Sequence, residues 1–332
     1  MPSAQELSVL ISRDKPLPNH VLNALDAIPV DANVILPFLK KSTDGEHSSP
    51  PLRSLNQVWL SCLSCEHGVV TVDMVLSCTA NEIGNYPIFI VPTQPVSHWN
   101  LDSLKARLHL LAKTLRDTVR CKRVFSVFAP DTIVSLFSQQ WSELVGVTIN
   151  NEPYYAARLL SCTAVLPPTS MTPPPGTSRL AVAADSEAVA RLCKGFSEES
   201  EPFVLRSQEA TKEAGLLISK SQVWVHCVSG TITCIAAFTR NTSGMATITK
   251  VYTHRSWRRR GYAKCLVREV ARYLLGTGRR EVVLYVAHNN NSAAKVYESV
   301  GFVEPDAAVE VGHSVNWTEV GFDRNYVDLG HW

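Results

Sequence analysis

Thr253–Val267 reads THRSWRRRGYAKCLV. Arg255, Arg258, Arg259 and Arg260 crowd its first half beside His254, and Gly261, Tyr262 and Ala263 follow at once. Such a run suits a nuclear-import address, a nucleic-acid stripe or the mouth of a phosphate-binding loop, and its surroundings separate the three. Ala246–Tyr252 ahead of it reads as a strand. Behind it Leu266, Val267, Val270, Ala271 and Leu274 recur at helical spacing, until Gly276 and Gly278 stop the pattern. Strand, basic loop, glycine and helix N-terminus together make an anion site. The N–H groups of a first helical turn lack acceptors within the helix, the helix dipole favours negative charge, and arginines add charge-assisted bonds. At Gly261 and Ala263 a larger side chain would block a phosphate from approaching the backbone.

Composition narrows the alternatives. A chain of 332 residues has room for two domains, and 45% hydrophobic with 19% charged residues is the balance of a globular protein. The net charge of +2 does not announce a nucleic-acid partner, so the positive field is local to the loop. No apolar run reaches the length of about eighteen residues that spans a bilayer, and MPSAQELSVLISRDKPLP lacks a secretory pattern. Nine cysteines, an odd number and mostly in strand-like surroundings (Cys78, Cys227, Cys234), point to reduced thiols and a cytoplasmic protein. Cys62 and Cys65 form a CxxC with no second pair and no histidine pair, which reads as buried thiols; no metal is expected.

Leu166–Arg179, LPPTSMTPPPGTSR, holds five prolines and a glycine and cannot continue a helix or central strand. It divides the chain into residues 1–165, a linker 166–178 and residues 179–332. The two halves repeat one another. Gln57-Val-Trp-Leu-Ser-Cys62 answers Gln222-Val-Trp-Val-His-Cys227, and each leads through a short turn (Glu66-His67-Gly68, Ser229-Gly230) into a second β-branched run. Third strands follow at Tyr86–Thr93 and Ala246–Thr253. Val124–Ala129 then answers Val282–Ala287, and a short helix ends at Val145-Gly146 or Val300-Gly301. Each half reads as helices, an antiparallel three-strand meander, a long helix, a strand, a short helix and final strands, the order a duplicated α/β unit produces.

Arg258-x-x-Gly261-x-Ala263 matches the [Q/R]-x-x-G-x-[G/A] acyl-CoA loop of the GCN5-related N-acetyltransferase (GNAT) superfamily. Leu284–Phe302, LYVAHNNNSAAKVYESVGF, resembles that superfamily's next strand and helix, with Asn291, Ala294, Tyr297, Gly301 and Phe302 at matching positions. Val251–Ala263 is most similar in wording to the branch containing glycine N-acyltransferase-like enzymes. The resemblance covers roughly residues 178–322; the first half matches in element order. It implies an α/β (α+β) fold of two tandem GNAT-like domains, each a mixed, mostly antiparallel sheet flanked by helices. It implies an N-acetyltransferase with acetyl-CoA (acyl-CoA) as co-substrate and a small-molecule amine or amino acid as acceptor, acting as a monomer or homodimer without nucleic acid or membrane. A protein or peptide acetyltransferase and a non-catalytic acyl-CoA sensor are the alternatives.

By the same resemblance, the backbone of Val251 and Thr253 would bond the pantetheine arm. Arg258, Arg259, Arg260, Gly261, Tyr262 and Ala263 would hold the pyrophosphate, and Asn291 and Ala294 would contact pantetheine or adenosine. Tyr297 would be the general acid for the leaving thiolate. The base stays open: the strand ahead of the loop carries Thr247, Thr249 and Lys250 but no carboxylate. A water chain, Glu198–Glu201, Glu319 and Asp323 are the candidates, while His226 and His313 read as structural histidines. In the first half the loop after Thr93, QPVSHWN, lacks the motif, and Trp141 or Ser142 stands near the position answering Tyr297. That half is expected to be a degenerate copy.

Overall fold

The structure, a computed structural model, describes residues 6–13, 17–43, 57–168, 173–305 and 314–331. The chain forms two compact units, Met1–Ala157 with Asp306–Trp332, and Arg158–Pro305. In chain order the elements are β1 (Glu6–Arg13), α1 (Asn19–Asp26), α2 (Leu36–Thr43), β2 (Val58–Glu66), β3 (Val69–Cys78), β4 (Ile88–Pro92), α3 (Leu101–Thr118), β5 (Ser126–Pro130) and α4 (Asp131–Val145). They continue with β6 (Tyr155–Cys162), β7 (Thr177–Leu180), α5 (Ser186–Ser197), α6 (Ser207–Ser219), β8 (Val223–Val228), β9 (Thr231–Asn241) and β10 (Met245–Thr253). The chain ends with α7 (Tyr262–Gly276), β11 (Glu281–Ala287), α8 (Asn291–Glu298) and β12 (Asn316–Gly321).

The first unit's sheet runs β1-β2-β3-β4-β5-β12 and the second's runs β6-β11-β10-β9-β8-β7. In each, only one of the described ladders is parallel, β4 with β5 and β10 with β11, so the expected mixed, mostly antiparallel sheets are present. Both hairpins turn on paired residues of positive φ, His67 (50°) with Gly68 (80°) and Ser229 (47°) with Gly230 (79°). Turns of that hand match the twist of the strands they join. Gly146, left-handed at φ 72°, ends α4 as the sequence pattern implied.

Three features depart from the sequence reading. Edge strands β1 and β7 precede the helices of each unit; both are short or interrupted in their alternation, and β7 begins inside the proline-rich stretch taken as linker. The larger departure concerns the last strands. The sequence division keeps residues 179–332 together, whereas β12 pairs antiparallel with β5 in the first unit, Glu319 opposite Phe128 and Gly321 opposite Ser126. Beside β11 in the second unit stands β6, supplied by residues before the linker. Alternation identifies a strand but not its partner, and these pairings join segments far apart in sequence.

The first unit's core is aromatic: Phe89, Phe125, Phe128, Phe137, Trp141, Trp317 and Phe322 are fully buried. The second unit has a core on each sheet face. Leu266, Val267, Val270 and Leu274 of α7 pack with Cys234, Val282 and Phe302 on one. Val189 and Cys193 of α5 and Leu217 of α6 pack with Val223, Ile235 and Tyr252 on the other. Among the described residues no helix is long and apolar enough to cross a membrane.

Candidate active site

The second unit's sheet opens where the basic loop begins. β10 and β11 pair only from Met245/Glu281 to Ile248/Leu284, and β10 shifts register against β9 between Thr247 and Lys250. Such a bulge bends a strand. Beyond it β10 keeps pairing with β9 through Thr253, but its other edge has lost β11. The His254 N–H donates to Thr233 O at 2.9 Å on the β9 side. Since successive strand residues alternate the direction of their polar groups, the N–H and C=O of Val251 and Thr253 face the open edge. Thr253 O there accepts a bond from Arg258 Nε at 3.0 Å.

From Thr253 the chain makes a short turn at Arg255–Trp257 and enters α7 through Gly261, which is left-handed at φ 79°. A Cβ at Gly261 would meet only Pro174 Cγ, at 4.0 Å, so conformation reserves this position for glycine more than space does. Arg259 also has positive φ, 60°. Among the described residues, the N–H groups of Arg259, Arg260, Gly261, Tyr262 and Ala263 donate to no protein acceptor, and no side chain caps α7. Positive-φ residues next to a helix start make an anion-binding concavity from such groups.

The side chains around this backbone are anchored individually. Tyr262 is buried, stacked on His226 at 4.9 Å and near Trp257 at 6.2 Å, so it contributes its N–H and a support for the loop. Arg260 lies over Trp257 at 4.8 Å and Arg258 over Tyr252 at 5.3 Å. His226 is satisfied as expected: Nε2 donates to Pro175 O at 3.1 Å, which leaves Nδ1 to accept from Ser178 Oγ at 2.9 Å. His313 lies outside the described residues. Val251 and Ala263 are half-buried against the core that holds α7 and α8.

Tyr297, on α8, is buried in that same core, its ring edge-on to Phe302 at 6.0 Å. Burial pushes its phenol well above the ordinary range, and Cys234 beside it adds to the shift. Its hydroxyl is not among the sealed polar atoms that lack a partner. Cys234 Sγ in turn accepts from Thr253 Oγ1 at 3.1 Å, which ties the neighbourhood of Tyr297 to the end of β10. Asn291 is exposed in the first turn of α8, whose capping is done by Asn290 Oδ1 accepting from the Ala293 N–H at 3.1 Å. Ala294 is buried on the inner face of α8.

The candidate bases fare unevenly. Glu199 accepts from Arg255 Nε at 2.9 Å and from Arg258 Nη2 at 2.8 Å to each oxygen. Partial burial pushes its carboxyl up, but the bonds from Arg258 and Arg255 more than reverse this, so it sits below its ordinary value. An anion so held is a poor proton acceptor. Glu198 and Glu201 are exposed. Glu319 and Asp323, assigned by sequence to the second half, belong to the first unit. On β10 the strand position examined for a carboxylate holds Lys250, whose Nζ donates to both oxygens of buried Glu213 at 2.6 Å and lies 5.0 Å from the Phe196 ring. Glu213 carries no signal of this role in the sequence, because α6 meets β10 only in the fold; Cys234 lies on the meander strand next to β10, but nothing local marks it as a neighbour of Tyr297.

The equivalent place in the first unit is built otherwise. Asn100 caps α3, its Oδ1 accepting from the Ser103 N–H at 2.8 Å. Arg107 is buried, paired with Asp73 at 2.7 Å and set over Trp99 at 5.3 Å. All nine cysteines of the chain are free, and among the described residues no group of His, Cys, Asp and Glu is arranged to hold a metal. Cys62 is buried, its thiol pushed up to about 12 by burial and Asp73.

A sheet splayed at its parallel pair, with a glycine-opened helix N-terminus beside the splay, is the geometry that the comparisons with known proteins can be set against. Residues 189–302 match the model of the Acetyltransferase (GNAT) family. A Drosophila protein solved as a structural-genomics target superposes with a TM-score of 0.60 at 12% identity, over 92% of this chain and 97% of that one. A GCN5-related N-acetyltransferase from Sphaerobacter thermophilus superposes with a TM-score of 0.54 at 16% identity, over 97% and 98% of the two chains. No curated protein sequence matches the chain. The second unit is thus similar to a GNAT acetyltransferase domain over residues 189–302, and the chain shares its fold with these solved proteins.

Proposed function

We propose that the second unit transfers an acetyl or acyl group from acetyl-CoA to the amine of a small molecule or amino acid, the amine attacking directly while both substrates are bound. The observation that carries this reading is the run of unbonded N–H groups from Arg259 to Ala263, next to the open edge of β10 and packed on the core that holds Tyr297. The acyl-CoA supplies a thioester carbonyl and a thiol leaving group. Val251 and Thr253 offer backbone groups to an extended pantetheine, as an added strand would be held. The loop from Arg258 to Ala263 takes the diphosphate, with Asn291 and Ala294 on the cofactor's flank.

Tyr297 keeps its proton through the neutral range because burial disfavours the phenolate, and so holds it ready for the thiolate as the C–S bond breaks. The amine loses its proton to water, since β10 carries no carboxylate. The first unit is a degenerate copy: its helix start is closed by Asn100 and its loop by the buried Arg107–Asp73 pair.

Release of free thiol from acetyl-CoA across a panel of amines and amino acids tests the proposal. Turnover with a small amine supports it. CoA binding without turnover on any amine or peptide turns the reading into an acyl-CoA sensor, and turnover on peptides alone into a protein acetyltransferase.

A further inference from the structure

Among the described residues Glu199 is the one carboxylate bonded to the arginines of the phosphate loop. Its two oxygens take Nη2 of Arg258, at 2.8 Å each, and Oε1 also takes Nε of Arg255 at 2.9 Å. Arg258 has its Nε committed to Thr253 O. A guanidinium clamps an anion best through a planar pair of donors, and here one outer donor, Nη2, is taken by Glu199. The turn bearing Glu199 connects α5 to α6. Phe203 and Leu205 anchor its far side in the core, and the Leu205 N–H donates to Ser197 Oγ at 3.0 Å. Glu199 is therefore the loop-facing tie of residues 199–202.

We infer that Glu199 is a latch on the phosphate loop, a positioning residue that holds Arg255 and Arg258 until a diphosphate takes them over. This rests on the acyl-CoA reading of the site. A diphosphate carries more negative charge than one carboxylate and meets the free N–H groups of Arg259–Ala263 as well, so it displaces Glu199 from Arg258. The displaced carboxylate leaves the turn 199–202 on its own backbone bonds, Glu199 N–H to Phe196 O at 3.1 Å and Ser200 N–H to Ser197 O at 3.0 Å, with its tie to the loop gone. Occupancy of the loop is thereby transmitted to the connection between α5 and α6.

The test uses the full chain as wild type, Glu199→Gln and Glu199→Asp, titrated calorimetrically with CoA and separately with inorganic pyrophosphate. Glu199 is partly exposed and its partners are exposed arginines, so all three proteins fold. Removing a competitor that makes two partly exposed ion pairs tightens CoA binding about three- to thirtyfold in Glu199→Gln, with Glu199→Asp close to wild type. Pyrophosphate shows the same ratio, which places the effect at the diphosphate. Hydrogen exchange at residues 199–201 rises when CoA binds wild type and is already fast in free Glu199→Gln. CoA binding wild type and Glu199→Gln equally, or binding the variant more weakly, overturns the latch while leaving the acyl-CoA site standing. CoA binding neither protein overturns the site and the latch together.

Discussion

Replacing Glu319 by Gln removes a titratable group from the sealed core of the first unit. Glu319 sits on β12, fully buried, and its Oε1 accepts from Ser126 Oγ at 2.6 Å while Oε2 has no partner in the described structure. Burial raises its carboxyl from 4.5 to about 8, against a smaller lowering by the Ser126 bond. Below pH 4.5 the acid is neutral in folded and unfolded chains alike and costs nothing. As pH rises the unfolded chain ionises first, so stability is lost progressively up to pH 8 and then levels off. At about 1.4 kcal/mol per pH unit the full loss is about 5 kcal/mol. Gln keeps the bond from Ser126 and carries no charge. Urea unfolding of wild type and Glu319→Gln at matched ionic strength from pH 4 to 9 reads the difference, in which the titrations of all other groups cancel. The two stabilities coincide at pH 4 and diverge by about 5 kcal/mol at pH 9, the variant being the more stable. Parallel pH profiles for the two proteins would refute the reasoning.

Tyr297→Phe lowers kcat about a hundredfold or more with KM for acetyl-CoA little changed, because the phenol holds a proton and no cofactor bond depends on it; steady-state thiol release measures both constants. Trp317→Ala costs about 3–5 kcal/mol, since the indole is fully buried against Phe128 at 5.3 Å, and the loss appears in chemical denaturation although residue 317 lies far along the chain from the rest of the first unit. Lys250→Met removes the cation that balances the buried Glu213 carboxylate and destabilises by about 3–5 kcal/mol, while a Lys250→Met/Glu213→Leu double variant recovers most of that loss in the same measurement.

The parts of this protein legible in its sequence are those encoded locally. The helical period behind Gly261, the prolines of the linker, the positive-φ turns at His67-Gly68 and Ser229-Gly230, and the Asn291–Phe302 segment each depend on residues a few positions apart. The splay of β10 from β11 and the burial of Tyr297 follow from that order of elements. What escaped is long-range. Nothing in Asn316–Gly321 says that this strand pairs with Ser126–Pro130 in the other unit, because alternation is blind to partners. Glu199 read as one acid in an acidic turn until the fold set it against Arg255 and Arg258. Lys250 looked like a missing carboxylate, and only the packing of α6 shows that its charge is matched by Glu213. Glu319 looked like a base because its sequence neighbourhood gives no sign that it stands on the buried face of β12, with Trp317 and Gly321.

The central claim is that acyl-CoA is held by the loop of the second unit alone. Hydrogen exchange of the full chain with and without CoA measures this residue by residue, since bound donors stop exchanging. The account predicts protection of Val251, Thr253 and Arg259–Ala263, with no change at the corresponding stretch from Thr93 to Ser103 of the first unit. Protection at 93–103, or none at 251–263 while CoA is bound, would contradict it.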